Sequence, residues 1–415
     1  MYIQICQLLL HKEHFKCSTG SHGRNADVFE NIANRYNRFL FRSLHVNRRT
    51  FFAGAVVLLL SMCAYPQARR KVILDQDGRG PATTDQQSML MVLQAPGVET
   101  LGITIVSGDQ WRDEEVAHTL RMLELTGHTD IKVYPGAVFP LINSKEEIAR
   151  WQTLYGAVSY QGAWNDHKVK ATVGTNNTGA WNSGIYRGPF EVPDPLPEGN
   201  PTLKAETEDA AHFLIRMVHQ YPHEVTIYAG GPLTNLAQAV SIDPHFAELA
   251  QELVVMGGSI VPVVPMEWGQ ANRREFNFWW DPEAVHIVLR APWKKITVTT
   301  VDISVKTHLT LAMIDEIAKA GTPAAKYIGK WADDELLWDE LAAAAWIDPR
   351  IITKEEMLAM DIDISHGAGY GNTLVWLPGS APGLGEQVVH VQTELNLEKF
   401  NKMVIELLSK GPQQH

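Results

Sequence analysis

Residues 71–85 read KVILDQDGRGPATTD, and the architecture follows from this stretch. A β-branched apolar run closes on two carboxylates, Asp75 and Asp77. A Gly/Pro/Thr turn then leads to Asp85, which opens Asp85–Gln94 (DQQSMLMVLQ) with helical spacing ahead of Ala95 and Pro96. Strand, turn and helix follow within about two dozen residues, the grammar of a βα unit. The two-residue period of a strand puts Asp75 and Asp77 on the same face.

The same alternation continues outward. Thr100–Ser107 (TLGITIVS) reads as a buried strand and Asp113–Leu125 as a helix with a charged outer face. Ile131–Tyr134, Glu224–Ala229, Leu253–Gly257 and Ile296–Val301 are further short strands, most of them separated by helices. The expected class is α/β: a mostly parallel sheet covered by helices on both faces. Ligands of such sheets sit at the carboxyl ends of the strands, so the residues closing each strand are the candidates for chemistry. Pro140–Pro201 breaks the pattern. It is rich in Gly, Asn, Pro and Trp and is expected to be an irregular functional loop within one domain spanning residues 69–415.

Composition narrows the function. Of 415 residues, 36 are Lys or Arg and 47 are Asp or Glu, a formal net charge of −11 with no basic stripe, which argues against a nucleic-acid partner. All three cysteines (Cys6, Cys17, Cys63) lie in the first 63 residues, so the main domain has no disulfide scaffold, Cys–zinc site or cysteine nucleophile. Gly78–Gly80 lacks the spacing of a dinucleotide fingerprint.

Residues 1–68 read as an N-terminal extension and export signal. Val46–Arg49 (VNRR) precedes Phe51–Cys63 (FFAGAVVLLLSMC), the length of a signal-peptide core and too short for a comfortable membrane span. Cleavage is expected near Ala68, giving a periplasmic or secreted protein with no stable membrane span; lipid attachment at Cys63 is the less favoured alternative. A translation start at Leu44 or Val46 would suit a signal peptide of bacterial form. Residues 1–68 hold eight basic and three acidic side chains, leaving 28 basic against 44 acidic in the remainder.

Asp75, Asp77 and Asp85 are the first chemical candidates. The turn brings Asp85 back toward the strand end, and carboxylates converging there repel one another unless a cation is present. Oxygen ligands of this kind suit Ca²⁺ or Mg²⁺. An ordinary acidic surface turn is the plain alternative.

The stretch resembles an altered form of the Asp-x-Asp-x-x-x-Asp-Asp signature of the inosine–uridine-preferring nucleoside hydrolases. Five further motifs follow in family order: GITIVSGD (102–109), YAGGPLTNLA (228–237), VVMGG (254–258), EFNFWWDPEA (275–284) and WDELAAAAWIDP (338–349). The resemblance implies a Rossmann-like core, Ca²⁺, a small-molecule nucleoside or riboside as substrate, and a homo-oligomer. Asp77 would bind Ca²⁺ and act as the base that activates water, with Asp75 in support. Asp85, Asp339 and the Thr234 carbonyl would be further ligands, and Met256, Glu275 and Asn277 would line the ribose. The same residues have plain structural roles: helix N-cap for Thr234, core packing for Met256, a solvated surface charge for Glu275.

Several positions depart from the family. Three extra residues separate Asp77 from Asp85, and Thr84 stands where the family has a ribose-contacting Asp. Pairing Asp85 with that first Asp would instead put Gln86 on the metal. Asp109 replaces a common Asn. Trp338 stands where family members carry a His that protonates the leaving base; Trp stacks on a ring but cannot donate a proton in that way. Tyr155, Tyr160 and His167 are the substitutes the irregular loop offers. The expected activity is metal-assisted hydrolysis of the N-glycosidic bond of ribonucleosides, giving ribose and free base. The alternative is an exported ribosyl- or carbohydrate-binding protein of the same fold without turnover.

Overall fold

Arg70–Gln76 forms β1, near the middle of a nine-stranded sheet in the computed structural model, which describes residues 69–158, 160–164, 188–261 and 273–412. The remaining strands are β2 Val98–Ile105, β3 Val133–Pro135, β4 Val225–Ala229, β5 Glu252–Met256, β6 Ile296–Thr299, β7 Ile352–Ile362, β8 Thr373–Trp376 and β9 Gln387–Leu395. Their spatial order is β3-β2-β1-β4-β5-β6-β9-β7-β8. The pairs from β3 through β9 are parallel, while β7 pairs antiparallel with both β8 and β9. The antiparallel edge, β7 to β9, went unread in the sequence, where the expected strands stop at Val301.

The α-helices of five or more residues are α1 Thr84–Leu93, α2 Arg112–Thr126, α3 Lys145–Tyr155, α4 Ala210–Gln220, α5 Thr234–Ile242, α6 Phe276–Trp280, α7 Pro282–Arg290, α8 Leu311–Ala318, α9 Pro323–Trp331, α10 Asp339–Ile347 and α11 Leu397–Leu408. They cover both faces of the sheet. Val72 and Leu74 of β1 enter one apolar layer with residues of α1, α2, α10 and α11. Ile73, pointing the other way, joins a second layer with α4, α5 and α7. Alternation along one fully buried strand thus feeds two cores, the reason its sequence reads as a continuous apolar run. All described residues fall within one compact unit, Ala68–His415.

The stretch expected to be irregular holds a helix. Ser144 caps α3 by accepting the Glu147 amide at 3.2 Å, and Ile148 buries itself against a third, aromatic cluster. There Trp164 stacks on Trp280 with ring centroids 3.9 Å apart, and Trp111 and Trp279 complete the contact. Only one residue of this eleven-residue helix is buried, so no apolar period was visible in its sequence. His167 and residues 1–68, the expected export segment, lie outside the described residues. Among the described residues no helix is long and apolar enough to cross a membrane.

Candidate active site

The sheet order changes direction between β1 and β4, where successive crossovers leave to opposite sides and a crevice opens at the carboxyl ends of the strands. Asp77 stands just past β1, Gly230 and Gly231 just past β4, Met256 at the end of β5 and Asp109 beyond β2. Asp77 is buried. Its Oδ2 accepts the Asp109 amide at 3.0 Å, while Oδ1 has no partner. Neighbouring backbone approaches this carboxylate so closely that side chains are excluded. A Cβ on Gly231 would lie 2.7 Å from the Asp77 nitrogen and 2.8 Å from Oδ1, and one on Gly108 would drive into the carboxyl group.

Asp75, within β1, reaches α5. Its Oδ1 accepts from Thr104 at 2.5 Å and from Asn235 Nδ2 at 2.7 Å. Asn235 also accepts the Ala137 amide at 2.8 Å, so Asp75 ties β1, β2, α5 and the segment after β3 together. Burial pushes the Asp75 carboxyl up to about 7, against the pull of those two hydrogen bonds.

The second group of carboxylates comes from α1 and α10. Asp85, in the first turn of α1, accepts from the Thr83 hydroxyl at 3.0 Å and lies close to Asp339, which opens α10. Thr84 Oγ1 lies 2.6 Å from Glu340 Oε2 and 3.4 Å from Asp339 Oδ2. Burial raises the Asp77 carboxyl well above the usual range, and the charges of Asp85, Asp109 and Asp339 raise it further. Asp339 is raised in the same way, by burial and then by Asp85 and Glu340. Asp85 reaches about 7, burial and Asp109 outweighing the opposing effect of Arg79.

These groups suit a hard divalent cation in their donor chemistry. Asp77 and Asp339 each keep a buried Oδ1 without a partner, and three acidic side chains burden one another in a dry crevice. A positive charge would relieve all three at once. Among the described residues, however, no group of three or more His, Cys, Asp or Glu is already gathered in a metal-binding arrangement. Thr234 is fully buried at the start of α5. Its hydroxyl donates to Asp281 Oδ2 at 2.7 Å, which leaves its carbonyl oxygen as its only candidate ligand.

On the opposite wall, Glu275 is buried and caps α6. Its carboxylate accepts the amides of Gly258 at 2.9 Å, Asn277 at 2.9 Å and Phe278 at 3.1 Å. A solvated surface charge is therefore the wrong description of it. Asn277 Nδ2 donates to the Gly230 carbonyl at 2.7 Å and to the Met256 carbonyl at 3.2 Å, joining the ends of β4 and β5. Met256 is buried, its sulfur 3.4 Å from Asn277 Nδ2. Trp338 immediately precedes α10 and is partly buried against the α1 side of the core.

Two participants are absent from the sequence-based candidates. Arg79, carried by the turn after Asp77, is buried; its Nη1 donates to Asp109 Oδ2 at 2.5 Å and to Tyr160 Oη at 3.3 Å. Its Nη2 lies 3.9 Å from Glu335. Glu340, next to Asp339, is the other, fully buried against Thr84. The three extra residues between Asp77 and Asp85 were the available signal for Arg79, but a GRG turn reads as solvent-exposed. Tyr160, one of the loop candidates, donates to Asp109 Oδ1 at 2.9 Å.

The sequence model of the inosine-uridine preferring nucleoside hydrolases matches residues 72–402, from β1 to the middle of α11. The chain belongs to that family. This nucleoside hydrolase is accordingly an N-glycosidic hydrolase. It is 29% identical over 382 residues to an uncharacterized protein of Schizosaccharomyces pombe, covering 86% of this chain and 90% of that one. It is also 30% identical over 258 residues to uridine nucleosidase 1 of Arabidopsis thaliana, covering 62% of this chain and 63% of that one. A solved plant nucleoside hydrolase shares the fold at a TM-score of 0.63 and 22% identity, covering 82% of this chain and 99% of the other. The nucleoside hydrolase fold expected from the motifs is the one observed.

Proposed function

We propose that this nucleoside hydrolase cleaves the N-glycosidic bond of ribonucleosides in a calcium-dependent reaction centred on Asp77. The observation that carries the reading is that buried Asp77 and Asp339 each keep an unpartnered oxygen, and that the charges of Asp85 and Asp339 raise the proton affinity of Asp77.

Asp77, Asp85, Asp339 and the Thr234 carbonyl are the groups that would hold the ion. A bound divalent cation supplies positive charge that makes the attacking water more acidic. Asp77 is held by the Asp109 amide through Oδ2, which leaves Oδ1 to take the water's proton. The buried carboxylates beneath the sugar oppose the positive charge that builds on the ring as the bond breaks. Asn277, Glu275 and Met256 shape the ribose end, and Trp338 offers a face for the base.

A reducing-sugar assay on purified protein tests this reading. Uridine, inosine, cytidine and adenosine would be supplied with Ca²⁺ or with EDTA. Release of ribose from at least one nucleoside, abolished by EDTA and restored by Ca²⁺, is expected. Release that is indifferent to EDTA would remove the metal from the mechanism.

We also propose that the chain is exported and loses residues 1–68, on the strength of the apolar run Phe51–Cys63 behind a basic stretch. Intact-mass analysis of protein from the native host's envelope or medium is expected to show a chain beginning near Arg69. A cytoplasmic protein beginning at Met1 would refute export.

A further inference from the structure

Trp338 lacks a transferable proton, so protonation of the departing base falls to another residue. Of the two candidate tyrosines named above, Tyr155 is 45% exposed at the end of α3, beside Trp151. Tyr160 is in the crevice. Its hydroxyl donates to Asp109 Oδ1 at 2.9 Å, and the Asp109 amide in turn holds Asp77 at 3.0 Å. The Tyr160 ring meets Phe276 edge-on, centroids 4.9 Å apart, so it bridges the catalytic carboxylates and the wall formed by Glu275 and Asn277. The segment is locked in place: the Ala163 amide donates to the Gly108 carbonyl at 2.9 Å, and Trp164 stacks on Trp280.

We propose that Tyr160 protonates the leaving base, with Arg79 stabilising the phenolate that results. This rests on the reading of the site as a ribonucleoside hydrolase. Arg79 Nη1 is 3.3 Å from Tyr160 Oη, close enough to carry the negative charge as it forms. Asp109 does not lose its only partner when the phenol proton moves, since Arg79 Nη1 still donates to its other oxygen. Burial, and the Asp109 charge after it, keep the phenol protonated at neutral pH, so the donor is loaded when substrate arrives.

The step balances. As the C1′–N bond breaks, its electron pair moves onto the base. The Tyr160 Oη–H bond breaks and its proton goes to a base nitrogen. Water forms the new C1′–O bond and gives a proton to Asp77. Solvent carries that proton from Asp77 back to the phenolate, leaving ribose, free base and the starting enzyme.

Leaving-group dependence separates this role from simple loop anchoring. A p-nitrophenyl β-riboside departs as a stable anion and needs no proton, whereas a nucleoside does. Tyr160→Phe is expected to lower kcat/KM for uridine or inosine by about 10²–10⁴. Turnover of the p-nitrophenyl riboside should stay near wild type. Arg79→Lys keeps the charge but loses the fork and should show the same selectivity in weaker form; it decides the matter should Tyr160→Phe fail to fold. Equal losses on both substrates, or no loss on either, would overturn the assignment while leaving the hydrolase reading intact. A wild-type protein that cleaves the activated riboside and no nucleoside would also overturn it. Wild-type protein inert to both would bring down the hydrolase reading itself, and this inference with it.

Discussion

The Asp109 amide donates to Asp77 Oδ2 at 3.0 Å, while Oδ1 of the same carboxylate is buried without a partner. One oxygen is anchored and the other is reserved. The asymmetry fixes the direction in which Asp77 can accept a proton, and it makes the residue the natural first target.

Asp77→Asn keeps the size and the anchored oxygen but removes basicity and charge. General-base catalysis is typically worth about 10² to 10⁴ in rate, so turnover of the best nucleoside should fall at least about a hundredfold. KM should change far less, because the ribose wall of Asn277 and Met256 is untouched. Steady-state kinetics at saturating Ca²⁺ measures both, and full turnover in the variant would place the chemistry elsewhere.

Calcium should raise the thermal midpoint of metal-stripped protein. Linkage gives about 2.7 kcal/mol at a hundredfold excess over Kd. Asp339→Asn should weaken that response, since Asp339 contributes one of the two unpartnered oxygens. A melting curve unmoved by EDTA and then by Ca²⁺, with no metal detected by elemental analysis, would show the ligand set to be wrong.

Gly231→Ala places a methyl group 2.7 Å from the Asp77 nitrogen and 2.8 Å from its Oδ1. Backbone on one side and the buried carboxylate on the other leave no room to yield. Overpacking of this kind costs about 1–3 kcal/mol, and here the displaced group is the proposed base. Urea unfolding should show the lost stability, and turnover should drop disproportionately. An alanine variant with wild-type activity would mean that Asp77 tolerates displacement.

Glu275 carries a pH signature. Burial raises its folded pKa to about 7 from an ordinary 4.5, despite the three amides it accepts. The sign follows from proton counting: between those values the native state binds more protons than the unfolded chain. Its contribution is therefore fully present below about 4.5 and is lost as pH rises through about 7. Stability from urea melts across that window should fall less steeply in Glu275→Gln than in wild type. Parallel slopes would show that Glu275 does not titrate there.

Much of this was legible in the sequence because it is local. Strand periods, the Gly/Pro turn after Asp77 and the helical spacing of Asp85–Gln94 are set by neighbours a few residues apart, and they placed the acidic residues at strand ends and helix starts correctly. The α/β class followed from the same alternation. The helix Lys145–Tyr155 escaped because one buried residue leaves no period to read, and β7 because the first half of its run is polar and largely exposed.

Tertiary structure alone decided which groups meet. Thr84 reaches Asp339 and Glu340 across 255 and 256 residues, and Arg79 reaches Tyr160 across 81. Nothing in local periodicity encodes such pairings; they arise where the β1/β4 crossover brings separate loops to one crevice. That convergence turned a GRG turn, which reads as exposed, into a buried guanidinium beside Asp109, and turned Glu275 from a surface charge into a helix cap. Charges that are cheap in water become directional once buried, because each must then find a partner inside the protein.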